Sequence, residues 1–358
     1  MNVSFVINEP INRASGGYKM VYMYANALSA RGDQVKIFYR CRKDVLFSNY
    51  KLPFAVKLLL ARICAGKGPK WYPLNKKVGR KIITEISDES VGDADVVIAT
   101  AADTADGVNQ LSKSKGKKFY FIQGYEIWVM PKEELQKTYG YRMEKIVVAN
   151  WLKNLVSPYS KQEVIRIPNG IDRNVFHIST PVEERNRYHI AMMYHDLESK
   201  GSDDGIKVLI QLKKRYPELK AHLFGIPPRP ETLPEWIAYT YCAKQEELAA
   251  IYNSASIYLC PSRNEGFPLT GAEAMMCGCA LVSTDILGIR EYADDHTALL
   301  VPVQDIEGLE KACSRLIEDE KFRIDLAKKG HSYVSEALCM QKSADLFVQS
   351  IHREEKPK

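Results

Sequence analysis

Short apolar runs recur along nearly the whole chain, and each is followed by a turn and then by a stretch with helical spacing. Residues 3–7 form the first run; the turn Ser15-Gly16-Gly17 comes next, and Val21, Ala25 and Leu28 then repeat at i, i+4 and i+7 up to Gly32. Runs at 35–39, 96–99, 118–122, 145–149 and 164–167 continue the rhythm, and a second series at 190–193, 221–224, 237–241, 257–260, 280–283 and 299–301 repeats it, with helical stretches at 203–215 and 245–252. Strands that are apolar throughout and alternate with helices are buried on both faces, which demands a parallel sheet covered by helices on each side. Two such α/β sheets, each doubly wound, are therefore expected. The turn cluster Ile167-Pro168-Asn169-Gly170-Ile171-Asp172 and the polar run 180–187 lie between the series and mark the linker. The expected domains are 1–172 and 173–335, followed by 336–358, whose helix at 336–352 crosses back to the first domain. At 358 residues, 46% hydrophobic and 26% charged, the chain has the length and composition for two packed cores of about 150 residues each.

Several classes are excluded early. The opening MNVSFVINEP has no basic segment and no small-residue cleavage site, so it reads as a first strand rather than an export signal. The densest apolar stretch, 52–65, is interrupted by Pro53, Lys57 and Arg62 and is shorter than the roughly 20 residues a spanning helix requires. Eight scattered cysteines without zinc spacing suggest reduced thiols in a cytoplasmic protein, and no metal is expected. The net charge of +6 is uneven: residues 40–81 hold twelve Lys or Arg against the single acid Asp44, interleaved with Phe47, Leu52, Phe54, Leu58, Leu59, Leu60, Trp71 and Tyr72. Two readings of that stretch stand side by side, a surface lying on the anionic inner face of the plasma membrane and a solvated basic face beside a core helix. No nucleic-acid-binding motif accompanies it.

Open parallel sheets take ligands at the carboxyl ends of their strands, so the loops after those ends are where chemistry is sought. Gly16-Gly17 opens a helix after the first run, either to let a phosphate or sugar approach bare N–H groups or to make a tight turn. After 257–260 comes PSRNEGFPLTGAEAMMCG, in which a helix begins near Thr270 between Glu265 and Glu273. The unpaired N–H groups of that helix can hold a diphosphate, Glu273 on the helix can accept two ribose hydroxyls, and Glu265 in the loop faces the sugar end.

These residues resemble the signature of the retaining family 4 glycosyltransferases, which have the GT-B fold of two Rossmann-like domains facing a central cleft. The resemblance extends to VIRIPNGIDRNVF, SKGSDDGI and CALVSTDILGIREYA, and within the family the text is similar to bacterial polysaccharide rhamnosyl- and hexosyltransferases. It implies that Glu273 binds the nucleotide ribose, that Glu265 and the backbone of Gly266, Phe267 and Pro268 hold the donor sugar, that Leu269 and Thr270 also belong to the donor site, and that Lys200 pairs with the diphosphate. Gly16 and Gly17 match the family's glycine loop near the phosphates. Two positions depart from the pattern. His195 stands where many relatives carry Arg, and its pKa of about 6.5 gives only part of a charge at neutral pH, either as a subgroup trait or as weaker donor binding. Gln123 stands where a His is common; it cannot act as a base but can donate a hydrogen bond. Glu126, beside Tyr125 on the acceptor side, either orients the acceptor or is an exposed loop acid.

The implied reaction moves a hexosyl or deoxyhexosyl group from a nucleotide-diphosphate sugar to a glycan or polyprenyl-linked glycan acceptor in cell-surface polysaccharide synthesis. Lys200, helix-terminal N–H groups and His195 stabilise the leaving diphosphate, without metal or covalent nucleophile. A sugar-nucleotide 2-epimerase of the same fold and a non-catalytic carbohydrate-binding scaffold are the alternatives, and fold alone does not separate them. Asp93-Ala94-Asp95 precedes a strand and reads as turn residues, Cys277 and Cys279 as packing thiols, and His222 as structural.

Overall fold

The computed structural model describes residues 1–353. The chain divides into one compact unit of Met1–Pro168 together with the chain from Ser343, and a second unit of Asn169–Lys342.

The first unit holds a seven-stranded parallel sheet made of β1 (Asn2–Asn8), β2 (Gln34–Arg40), β3 (Gly79–Ile83), β4 (Val96–Ala99), β5 (Lys117–Ile122), β6 (Glu144–Val147) and β7 (Val164–Arg166). Its spatial order is β3-β2-β1-β4-β5-β6-β7, with Phe5 paired to Ile37 on one side and to Ile98 on the other. Helices α1 (Gly16–Ala30), α2 (Phe54–Lys67), α3 (Ala102–Gln110), α4 (Lys132–Tyr139) and α5 (Asn150–Val156) connect the strands. All six apolar runs expected here are strands. Strand β3 was not anticipated: it sits at the sheet edge, it opens Gly79-Arg80-Lys81, and only Ile83 of its five residues is fully buried, so it lacks an apolar run.

The second unit has a six-stranded parallel sheet of β8 (His189–Tyr194), β9 (Lys220–Gly225), β10 (Ile237–Tyr241), β11 (Ile257–Cys260), β12 (Ala280–Thr284) and β13 (Ala298–Val301), in the order β10-β9-β8-β11-β12-β13. Helices α6 (Ser202–Arg215), α7 (Gln245–Ser254), α8 (Leu269–Met276), α9 (Ile306–Glu318) and α10 (Glu320–Ala337) pack around it. Ile190, Met192, Leu223, Ile257, Leu259 and Val282 of the sheet meet Val208, Leu209 and Leu212 of α6 and Leu309, Cys313 and Leu316 of α9 in one apolar core. The polar run 180–187 is fixed within this unit by Arg185. Its buried guanidinium donates to the carbonyls of Thr180, Tyr252, Ala255 and Cys277, which explains why the run shows no apolar periodicity yet is ordered.

The last helix, α11 (Met340–His352), enters the first unit from Ser343 onward. Phe347 stacks on Tyr24 of α1 at 3.9 Å between ring centres and meets Phe121 of β5 edge-on. The expected return of the terminal helix to the first unit is anchored by Phe347 together with buried Ala344, Val348 and Ile351; residues 354–358 of the expected tail lie outside the described residues. Among the described residues no helix is long and apolar enough to cross a membrane. Each unit is thus a parallel sheet covered by helices, as expected, and the terminal helix returns to the first unit.

Candidate active site

In each sheet the strand order reverses at one point, between β1 and β4 in the first unit and between β8 and β11 in the second. Loops leaving the carboxyl ends on either side of a reversal diverge and open a crevice where ligands bind. Most of the residues singled out from sequence fall at these two places; Gln123, Tyr125 and Glu126 follow β5, one strand beyond the first reversal.

In the second unit, the loop after β8 carries His195 to Lys200 and the loop after β11 carries Pro261 to Pro268. Because Met192 of β8 pairs with Leu259 of β11, the two loops leave side by side. They are joined by an ion pair between Lys200 Nζ and Glu265 Oε2, both side chains being mostly buried. The other Glu265 oxygen accepts from Ser262 Oγ at 2.6 Å, so the carboxylate is held from both sides. Backbone contacts tighten the junction: the Ser199 carbonyl accepts from the N–H groups of Arg263 at 2.7 Å and Asn264 at 3.2 Å. Gly201, with φ +62°, lies so close to the Pro261 carbonyl that a Cβ would collide with it, so this junction demands glycine.

Arg263 was not singled out from sequence. It donates through Nε and Nη2 to Asp204 Oδ2 at 3.1 and 2.8 Å and through Nη1 to Glu198 at 2.6 Å, clamping the Lys200 turn to the Glu265 loop. Its partner Asp204, buried in the first turn of α6, reads in the sequence as an ordinary helix-start acid, so no sequence signal pointed to the pair. His195 is fixed as well: the Leu197 N–H donates to its Nδ1 at 3.1 Å, and Ser202 Oγ bridges its backbone N–H and carbonyl. With Nδ1 accepting, the ring proton of the neutral form is on Nε2.

Beyond the loop, α8 starts after Pro268 with no side chain capping its N-terminus, so its first N–H groups are available to an anion. The Pro268 carbonyl accepts from the buried Tyr292 hydroxyl at 2.7 Å, and Gly271 leaves the room that this hydroxyl occupies. Phe267 packs on the Tyr292 ring at 5.1 Å, which sets the direction of helix entry. Glu273, one turn along, is only 4% exposed and accepts from Tyr252 Oη at 3.5 Å. Gly266 and Thr270 follow the same loop-to-helix path, and Leu269 is the first helical residue.

In the first unit, Gly16 and Gly17 are the first two residues of α1. Neither is among the left-handed glycines of the described residues, so a turn with positive φ does not account for them. Gln123, after β5, donates to the Gly17 carbonyl at 3.3 Å. Glu126 is not an exposed loop acid: its Oε2 accepts from the Ala102 N–H at 2.6 Å, at the N-terminus of α3. Burial pushes the Glu126 carboxyl up to about 7, the Asp103 charge adds to the rise, and the Ala102 N–H opposes it. Tyr125 is half-buried beside it, and Ile127, Trp128 and Val129 that follow are exposed. Arg40 and Arg42, counted from sequence with the basic stretch, instead turn toward Asp103 at 3.8 and 3.6 Å. Asn8 Nδ2 donates to the same carboxylate at 3.1 Å.

The residues set aside from sequence are structural where they are found. Asp95 accepts from the Asn2 N–H at 2.7 Å and Asp93 pairs with Lys115 at 2.9 Å, both at the amino end of the sheet. Cys277 and Cys279 are buried thiols, the latter pushed by burial up to about 12. His222 Nε2 meets Thr240 Oγ1 across β9 and β10. Among the described residues no group of three or more His, Cys, Asp or Glu is placed to hold a metal ion.

Residues 186–319 match the family described as Glycosyl transferases group 1. Over 92 residues the chain is 32% identical to an N,N'-diacetylbacillosaminyl-diphospho-undecaprenol alpha-1,3-N-acetylgalactosaminyltransferase of Campylobacter jejuni, covering 25% of this chain and 24% of that one. It is 26% identical over 172 residues to a phosphatidyl-myo-inositol mannosyltransferase of Mycolicibacterium smegmatis, covering 45% of each. The chain therefore spans less than half the length of either curated relative. Two solved structures share the fold over nearly the full length. The sucrose-phosphate synthase of Thermosynechococcus elongatus superposes with a TM-score of 0.71 at 17% identity over 98% of each chain. Anabaena HepE, in complex with UDP and glucose, does so with a TM-score of 0.72 at 12% identity, over 98% of this chain and 99% of that one.

Proposed function

We propose that this chain, which has the GT-B fold and matches the family described as Glycosyl transferases group 1 over residues 186–319, is a retaining glycosyltransferase moving a hexosyl or deoxyhexosyl group from a nucleotide-diphosphate sugar to a glycan or polyprenyl-linked glycan acceptor. The observation that carries this reading is the Lys200–Glu265 pair at the sheet reversal, set in the loop that leads directly into the uncapped N-terminus of α8. A cation and a row of helix-terminal N–H groups suit a diphosphate; a clamped carboxylate suits sugar hydroxyls.

On donor binding, the diphosphate takes Lys200 and the first N–H groups of α8, while Glu265, held by Ser262, turns its remaining acceptor capacity to the sugar. Glu273 accepts from the ribose hydroxyls. His195, with its ring oriented by Leu197, donates from Nε2 to a phosphate oxygen. In the first unit, Gly16 and Gly17 open α1 with N–H groups suited to a phosphate or sugar, and Gln123, Tyr125 and Glu126 are the acceptor-side candidates. Positive groups aimed at the leaving diphosphate lower the cost of an oxocarbenium-like sugar, and the acceptor hydroxyl attacks from the face the diphosphate leaves. The enzyme works in the cytoplasm in cell-surface polysaccharide synthesis, and peripheral contact with the inner membrane face through residues 40–81 belongs to the same reading.

Thermal stabilisation by a panel of UDP-, GDP- and dTDP-sugars tests it, with Glu273→Ala as the control. A shift with one nucleotide that disappears in the variant supports the proposal. No shift with any of them removes the donor and with it the proposed reaction.

A further inference from the structure

Helix α2 is inside out for a surface helix. Its buried positions are Lys57, Ala61 and Ala65, spaced i, i+4 and i+8, and Ala61 joins a small satellite core with Cys41 and Leu46, packed by partly buried Phe47, Phe54, Leu58 and Ile82. The larger apolar residues point outward: Val56, Leu59 (57% exposed), Leu60 and Ile63 (46% exposed) form an unpartnered stripe, continued toward the N-terminus by exposed Tyr50 and Leu52. A surface helix ordinarily buries its apolar stripe and wets its polar one, so an exposed stripe of this kind marks a docking face.

We infer that α2 lies flat in the headgroup region of an anionic bilayer, with Leu59, Leu60 and Ile63 entering the acyl boundary. The inference deepens the membrane part of the proposed function and names the element and the side chains that make the contact. Charge selects the occupant. Exposed Lys51, Arg62, Lys67 and Lys70 rim the stripe, and the only acid between residues 40 and 81 is Asp44, ten residues before the helix begins. A second copy of this chain would set those cations against one another, whereas lipid phosphates complement them. At 14 residues, about 21 Å, the helix suits lying in the interface rather than spanning it. Gly68, with φ +75°, stops the helix, so the exposed stripe ends where the basic run Lys67 to Lys70 begins.

The test is co-sedimentation of the full chain with vesicles of phosphatidylcholine alone and with about 30 mol% phosphatidylglycerol, at low and high salt. The wild type is expected to bind only the anionic vesicles and to release as salt rises. Leu59→Glu combined with Ile63→Glu should lower binding at least about tenfold while keeping the wild-type melting temperature, since both positions are exposed. Nucleotide-sugar binding, measured on the same variant, should be unchanged, so a failure of docking and a failure of the donor proposal are told apart. No binding of the wild type to anionic vesicles, or equal binding by the variant, overturns the inference. So does a wild-type dimer in sedimentation velocity that the variant dissolves without any vesicle binding.

Discussion

Lys200 and Glu265 come from loops 65 residues apart in sequence, yet the adjacency of β8 and β11 brings them into contact. Each holds the other in the place where the proposed donor needs a cation and a carboxylate. Lys200→Ala removes the diphosphate's cation and strips Glu265 of its partner, so kcat/KM should fall by about 10²–10³, while steady-state kinetics of Lys200→Arg should show part of the activity retained. Glu126 gives a second residue-scale prediction, concerning stability. Its folded-state carboxyl is raised from 4.5 to about 7, so the folded protein binds the proton more tightly than the unfolded chain does. The stabilisation is fully present below about pH 4.5 and lost as pH rises through about 7, at a cost on the order of 1–3 kcal/mol. Glu126→Gln keeps an acceptor for the Ala102 N–H without the charge. Thermal melts should show the variant gaining on the wild type at pH 8 and matching it at pH 4.5; an equal difference at both pH values would contradict the assignment.

At the scale of elements, stability rests on a few anchors. Phe347 on α11 is fully buried against Tyr24, Phe121 and Phe5. Phe347→Ala should destabilise the first unit by about 3–5 kcal/mol in denaturant unfolding. The second unit has a polar anchor: Arg185→Met strips hydrogen bonds from four carbonyls, and a loss of about 3 kcal/mol or more is expected from the same measurement. Which elements the sequence revealed follows from burial. Twelve strands could be read because they are apolar runs inside covered parallel sheets. The edge strand β3 could not, since two of its first three residues are charged and only Ile83 is fully buried. Of the candidate site, Glu265 and the α8 start could be read from residue types and spacing, and Lys200 only from the family resemblance. Arg263 with Asp204 and Ser262 escaped notice because they act on the site through other residues, and Arg and Ser have no periodic signal. The two orientations of α2 could not be separated either, because an apolar helix reads the same whether its stripe faces inward or outward.

For the whole molecule, two parallel sheets each present one reversal of strand order; Gly16 and Gly17 follow β1 at the first, and His195, Lys200 and Glu265 follow β8 and β11 at the second. The chain leaves the first unit near Pro168 and returns to it from Ser343. Removing everything after Lys342 takes away α11 and its Phe347, so hydrogen exchange should show amide protection falling in β1, β5 and α1 while β8, β11 and β12 keep theirs. The proposed donor site is the second unit's strand reversal, with Lys200, Glu265 and the α8 N-terminus holding a nucleotide-diphosphate sugar. Calorimetric titration of the wild type and Lys200→Ala with UDP-, GDP- and dTDP-sugars tests it most directly. The account predicts saturable binding of sugars of one nucleotide at a single site, weakened at least about tenfold by Lys200→Ala; no binding of any of them, or equal binding by the variant, would contradict it.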